Sequence, residues 1–250
     1  MFTLALVLSV LIGVALGLLG GGGSILTTPI LIYALGVETK AAIATSLLVV
    51  GVTSVAAVIQ HARAGNVEWR TGLIFGGAGM AGAYVGGFIA AWIPATVLMI
   101  LFGAMMLATA VAMFRGRKDP GPSAGPRSGE SQALWKIIAE GLVVGVVTGL
   151  VGAGGGFLVV PALALLGGLP MKKAVGTSLL VIALKSFAGY AGHAAHVTID
   201  LELAALVSGA AVVGSFAGSR IANVIPPDAL RRGFAGFVLV MAGFVLYQQI

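Results

Sequence analysis

No cysteine occurs in the 250 residues. That excludes disulfides, thiolate nucleophiles and cysteine-ligated metals. Charge is almost as scarce, with 9% of residues charged against 59% hydrophobic and a mean hydropathy of +1.10. A soluble domain carries about 25% charged residues, so a water-facing surface cannot be built from this chain. Lipid is the solvent that fits. Clustered carboxylates are missing, as are a nucleophilic triad and any metal-ligand spacing, which leaves an enzyme, a metal centre and a bound cofactor without residues to support them. The net charge of +6 is of the kind that marks cytoplasmic loops of a membrane protein, so nucleic acid is not an expected partner.

What is present is a series of ten apolar segments. They run over 2–20, 24–36, 41–60, 71–93 and 95–114, then 134–152, 156–168, 173–193, 203–224 and 233–248. Most approach the ~20 residues that span a bilayer as helix. Segments 24–36 and 156–168 are short, at 13 residues each. Between the two sets lies a hydrophilic stretch, Arg115 to Ala133, with Pro120, Pro122 and Pro126 among Gly, Ser and charges. It reads as a flexible linker. The first segment lacks a basic leader region, and its counterpart at 134–152 lies mid-chain, so it reads as mature structure rather than a signal peptide.

The chain matches itself at a shift of 132 residues without a gap. Gly13, Gly17, Gly20, Gly22 and Gly23 fall on Gly145, Gly149, Gly152, Gly154 and Gly155. Pro29 falls on Pro161, Lys40 on Lys172, and His61 on His193. The run Thr45-Ser46-Leu47-Leu48-Val49 recurs as Thr177-Ser178-Leu179-Leu180-Val181. Such internal duplication is a hallmark of transporters. The expected organisation is a first transmembrane repeat at 1–114, a cytoplasmic linker at 115–133 and a second repeat at 134–250.

Charge tells parallel halves from inverted ones, because cytoplasmic loops are rich in Lys and Arg. With the linker inside and parallel halves, the basic residues divide seven against six. With inverted halves, Lys172, Lys173, Arg220, Arg231 and Arg232 join the inside set, and the division becomes twelve against one, Lys40. Inversion requires an odd number of crossings per half. The expected fold is therefore an all-α integral membrane protein of two inverted repeats, each with about three spanning helices and a Gly-broken re-entrant pair. The short second segment spans ~18 Å at 1.5 Å per residue, about half the ~30 Å hydrocarbon core, which puts the break near the midplane.

The breaks themselves are Gly20-Gly21-Gly22-Gly23-Ser24 and Gly152-Ala153-Gly154-Gly155-Gly156. Glycine loosens helix, and irregular backbone at membrane depth is tolerated only when buried or lining a cavity. A helix restarting there offers free N–H groups and a positive dipole end, a site for an anion. Neither break continues as a P-loop or a dinucleotide fingerprint. Gly21, Gly22, Gly23, Ser24, Gly154, Gly155 and Gly156 are thus candidate substrate contacts. Pro29 and Pro161 suit a first helical turn, which would extend the unwound stretch as far as Thr28. The four-residue glycine pairs, such as Gly13/Gly17 and Gly214/Gly218, read as tight helix packing.

Thr45, Ser46, Thr177 and Ser178 lie one to two turns into the third segment of each half, where hydroxyls donate to a substrate oxygen or bond back to a helix carbonyl. Lys185 is the one charge well inside an apolar span, a position costly enough to imply function through attraction of an anion or a change of protonation. Snorkelling to the surface is its rival use. His61 and His193 stand at segment ends, with His196 nearby, as expected of solvated histidines; proton transfer is their alternative role.

The half-repeat Gly13-x3-Gly17-x2-Gly20-Gly-Gly-Gly-Ser24-x4-Pro29, then Lys40-x4-Thr45-Ser46, is similar to the TauE/SafE family of sulfite exporters. Its copy, Gly145-x3-Gly149-x2-Gly152-Ala-Gly-Gly-Gly156-x4-Pro161, then Lys172-x4-Thr177-Ser178, is similar as well. The resemblance covers nearly the whole chain outside the linker. It implies a multi-pass carrier of the bacterial inner (plasma) membrane that exports small sulfur-containing anions such as sulfite or organosulfonates. Its expected partners are that anion, the lipid bilayer and a coupling proton or cation. The other class of function is a membrane-embedded binding or assembly subunit that transports nothing; an ion channel is a third. Saturable flux of sulfite separates them.

Overall fold

The computed structural model describes residues 2–90, 93, 95–115, 134–151, 156–194 and 199–247, and every regular element among them is helical. In chain order these are α1 (Phe2–Leu19), α2 (Gly22–Pro29), α3 (Thr39–Arg63), α4 (Trp69–Ala90), α5 (Ala95–Arg115), α6 (Leu134–Val151), α7 (Gly156–Pro161), α8 (Met171–Ala194), α9 (Leu201–Val224) and α10 (Pro227–Tyr247). The ten apolar segments read from sequence correspond one for one to these helices. Of the linker, Arg115 ends α5 and residues 116–133 lie outside the described residues.

Both α2 and α7 end on a proline and continue as a π-helical turn, Ile30–Ala34 and Ala162–Leu166. Pro29 and Pro161 are therefore not at a first helical turn, as the sequence suggested. They close the α-helical part. A proline ring inside a helix removes one N–H and crowds the carbonyl four residues back. Widening the next turn to i→i−5 bonds restores the ladder. The N–H of Leu35 donates to Ile30 O at 3.1 Å, and that of Gly167 to Ala162 O at 2.8 Å. Helix restarts as early as Gly22, so the unwound stretch of the first half does not reach Thr28.

Helix pairing follows the duplication. α1 lies along α9 and α4 along α6, while α3 meets α8, α5 meets α10 and α2 meets α7. Exchanging each helix for its repeat counterpart reproduces the same set of pairs. Glycines carry the closest of these contacts. A Cβ on Gly13 would come within 1.8 Å of Ala211 O, and one on Gly17 within 2.3 Å of Ser215 O. On the other side, Gly141 faces Phe75 and Gly145 faces Gly79. Such backbone-to-backbone approach is how helices associate where lipid supplies no hydrophobic drive. The rising numbers show that α1 and α9 run in the same direction, as do α4 and α6. Gly189 faces Leu47 while Gly51 faces Phe187, so α3 and α8 run in opposite directions.

Polarity is distributed as in a membrane protein. Val7, Leu11, Val143, Val213 and Val240 are exposed on the outer wall, whereas Thr45, Ser46, Thr53, Ser54, Thr177, Ser178, Lys185 and Ser186 are buried. By length and composition, four described stretches can cross a membrane: Ala44–Arg63, Met171–Ala191, Leu201–Val224 and Pro227–Tyr247. Shorter apolar helices include Ala5–Leu19, Gly23–Ile32 and Gly103–Arg115.

Candidate functional site

The first break is a sharp reversal. Gly20 follows α1 with φ +71, the left-handed region that glycine enters without steric cost. Its N–H donates to Leu16 O at 2.8 Å, closing the helix. The chain then restarts as α2 and folds back along α1, so that Gly23 sits against Leu16 and Ile12. No side chain caps α2 at Gly21. The first N–H groups of any helix lack an intrahelical acceptor, and here they belong to residues at the break.

The two breaks adjoin. A Cβ on Gly156, the first residue of α7, would lie 2.6 Å from Ser24 Oγ and 3.2 Å from Gly21 Cα. A Cβ on Gly20 would lie 2.6 Å from Ser178 Oγ and 3.2 Å from Val175 O. Gly20, Gly21, Ser24, Gly156 and Ser178 thus form one cluster, with Ile182 beside it. Gly22 and Gly23 open α2 next to this cluster. Gly154 and Gly155 lie outside the described residues.

Most hydroxyls around the cluster are buried, and Ser24, Thr28, Thr177 and Ser178 are hydrogen-bonded. Ser24 Oγ donates to Gly21 O at 2.7 Å, and Ser178 Oγ to Val175 O at 2.7 Å. Thr28 Oγ1 donates to Ser46 Oγ at 3.0 Å, tying α2 to α3. Thr45 is buried in the turn before. Thr177 Oγ1 accepts the backbone N–H of Glu68 at 3.0 Å, so it serves the α3–α4 loop. Back-bonding to a helix carbonyl, the rival use named from sequence, is what Ser24 and Ser178 do in this conformation.

Lys185 does not reach the surface. It is 9% exposed and its Nζ donates to Thr148 Oγ1 of α6 at 2.7 Å. Thr148 in turn donates to Gly145 O at 3.0 Å. Ser178, Ile182 and Lys185 are spaced i, i+4, i+7 on α8 and so share one stripe. The ammonium is therefore held one helical turn beyond the residue that touches Gly156. Thr148 was missed in the sequence, although a signal existed: a buried ammonium needs a polar neighbour, and α6 carries few. Thr28 was missed for want of any charge or repeat to single it out.

His61 departs from expectation. It is 1% exposed rather than solvated, and its Nε2 lies 3.0 Å from Gly17 O. The side chain bridges α3 to the last turns of α1. Just beyond it, residues from both repeats meet at one end of the bundle. Asn66 Nδ2 donates to Asn223 Oδ1 at 3.0 Å, and Lys172 Nζ to Asn223 O at 2.6 Å. Lys173 pairs with Glu68. The side chain of His193 and the whole of His196 lie outside the described residues.

Residues 5–245 match the family described as sulfite exporter TauE/SafE. A probable membrane transporter protein of Xylella fastidiosa (strain 9a5c) is 35% identical over 242 residues, covering 96% of this chain and 92% of that one. Another, from Methanocaldococcus jannaschii, is 29% identical over 264 residues and covers 98% and 97%. A third, YunE of Bacillus subtilis, is 33% identical over 212 residues. No solved structure matches the chain. These names indicate a transporter rather than an enzyme, and with the apolar helices they make this a multi-pass membrane protein. The chain belongs to the TauE/SafE sulfite exporter family.

Proposed function

We propose that the protein exports small sulfur-containing oxyanions, sulfite or an organosulfonate, by alternating access around the adjoining Gly breaks. The observation that carries this is the contact of Gly156 with Gly21 and Ser24, which brings the two interrupted helices of the duplication together between the repeats. Backbone N–H groups at Gly22–Ser24 and Gly154–Gly156 supply most contacts to the anion. Thr45, Ser46, Thr177 and Ser178 complete the shell as their helix-bonded hydroxyls turn, and Lys185 adds attraction from one turn away. Helix ends contribute roughly 0.3–2 kcal/mol each, enough to select an anion yet weak enough to release it.

The halves are inverted, with domains at 1–114 and 134–250 and the 115–133 linker in the cytoplasm of a bacterial cell whose inner membrane holds the protein. Helix directions support this reading: the repeat counterparts α3 and α8 run antiparallel, as an in-plane pseudo-two-fold axis requires. So does the meeting of Asn66, Lys172 and Asn223, which gathers Arg63, Arg70, Lys172, Lys173 and Arg220 towards one end.

Purified protein in liposomes loaded with labelled sulfite tests the function. Saturable efflux is expected, abolished by Gly155→Leu with the protein still folded and inserted. Absence of any flux would instead favour a binding or assembly subunit, and normal flux with bulky residues at both breaks would remove the site proposed here.

A further inference from the structure

His61 is the buried group that the site leaves unused. Its Nε2 lies 3.0 Å from the carbonyl oxygen of Gly17. A carbonyl oxygen only accepts, so Nε2 carries the proton and the other ring nitrogen, Nδ1, is the bare acceptor of a neutral imidazole. Nδ1 is buried and has no hydrogen-bond partner among the described residues. A proton placed there would produce an imidazolium whose second N–H has no acceptor, an arrangement that a buried site does not sustain.

The surroundings deepen this. Gly176 of α8 packs against the His61 Cβ, and the backbone N–H of Asn66 donates to His61 O at 2.8 Å. The imidazole therefore sits directly beneath the contacts that close the Lys/Arg-rich end: Asn66 with Asn223, Lys172 with Asn223, Lys173 with Glu68. It also holds α1 one turn before the Gly20 reversal.

The titratable groups near it are few. α1 contributes none. α8 contributes Lys172 and Lys173, both engaged as above. α3 contributes Arg63, the loop after it Glu68, α4 Arg70 and α9 Arg220.

We propose that His61 is a proton-binding site whose occupancy is tied to opening of the Lys/Arg-rich face: neutral and sealed when that face is closed, protonated at Nδ1 by water when it opens. This rests on the reading that the face opens and closes during transport. Linkage makes the relation reciprocal, so lowering the pH on that side favours the open face. An unperturbed imidazole titrates near about 6.5, so the open-to-closed ratio rises about tenfold between about pH 8 and about pH 5.5.

The absence of native cysteine permits a direct test. In phosphatidylethanolamine–phosphatidylglycerol vesicles, the buried Val175→Cys reports opening by maleimide labelling, normalised to labelling of the exposed Ala64→Cys at each pH. The normalised rate is expected to rise about tenfold on acidification, and His61→Gln, whose amide still donates to Gly17 O, is expected to flatten it. A second measurement does not depend on that variant folding. With His193 and His196 both replaced by Gln, His61 is the last of three histidines, and its ring-nitrogen NMR shifts should report a proton gained in acid. Labelling with the same pH dependence in His61→Gln, or an imidazole that stays neutral throughout, overturns the proton site while leaving the transporter reading intact. A reporter unlabelled at every pH overturns the opening of this face, and the proton site with it.

Discussion

Replacing Lys185 by Met should make the protein more stable and a poorer transporter. The side chain is 9% exposed, and among the described residues the partner of its Nζ is Thr148 Oγ1 at 2.7 Å. No carboxylate pairs with it among the described ion pairs. Dehydrating an ammonium costs several kcal/mol after relaxation. One charge-assisted hydrogen bond returns about 1.5–3 kcal/mol. The balance is unfavourable, and a methionine of similar length fills the slot without it, so Lys185→Met is expected to stabilise the fold by about 1–3 kcal/mol. Thr148→Val has the opposite sign: the charge stays and its partner goes, a loss of about 1.5–3 kcal/mol. In the Lys185→Met background, Thr148→Val should cost much less, because the hydroxyl then serves only Gly145 O. Denaturant unfolding in detergent of the wild type, both single variants and the double variant yields the coupling directly. Labelled sulfite efflux from liposomes gives the functional side, where Lys185→Met should fall about tenfold or more if about 1.4 kcal/mol of anion attraction is lost. A destabilised Lys185→Met together with a neutral Thr148→Val would show that the ammonium is not held in this slot, and the reasoning would fail.

Other consequences can be checked with simpler tools. Single cysteines at Lys172 and at Ser128 in the linker should be labelled from the same side of the membrane; labelling from opposite sides would refute the inverted arrangement. Gly214→Leu should reduce folded yield sharply, since even a Cβ there comes within 2.1 Å of Val10 O, whereas Gly236→Ala, with open space around it, should be tolerated in the same size-exclusion assay. Glu68→Gln should change unfolding by less than about 1 kcal/mol, because its pair with Lys173 is well exposed to solvent.

The helices were legible because the bilayer imposes a length and a composition that few other environments impose. Even the short second segments were legible, being set off by glycine on one side and by Gly36 and Gly168 on the other. The duplication made each reading count twice. The π turns were not legible, because Pro29 alone is compatible with a helix start or a kink, and only the bonds of Leu35 and Gly167 decide between them. His61 was misread for a related reason. Its place at a segment end suggested water, yet α3 continues to Arg63, and the packing of α1 and α8 on either side is a tertiary fact. Lys185 stood out in the sequence as a charge within an apolar span, and it is buried, but the hydroxyl that receives it sits 37 residues away, beyond the reach of any local pattern.

The two halves of the duplicated chain differ at positions that join the repeats. At the 132-residue shift, Lys173 corresponds to Ala41 and Asn223 to Ala91. By sequence, the Lys173–Glu68 pair and the Asn66–Asn223 side-chain bond therefore have no equivalent in the other half, whereas the Lys172 bond to a backbone carbonyl keeps its lysine as Lys40. Lys185 corresponds to Thr53, so one half alone carries the buried charge. Thr53 is itself buried, with no hydrogen-bond partner for its hydroxyl among the described residues, and Thr148 corresponds to the apolar Leu16. On the alternating-access reading proposed above, the arrangement seen here carries an ion pair and an Asn–Asn hydrogen bond that its repeat-related counterpart would lack. An anion leaving a cell that is negative inside is driven by about 2.3 kcal/mol per charge per 100 mV. On the orientation proposed above, the inequality of the repeats places the extra contacts at the Lys/Arg-rich end, the side from which that anion would be drawn.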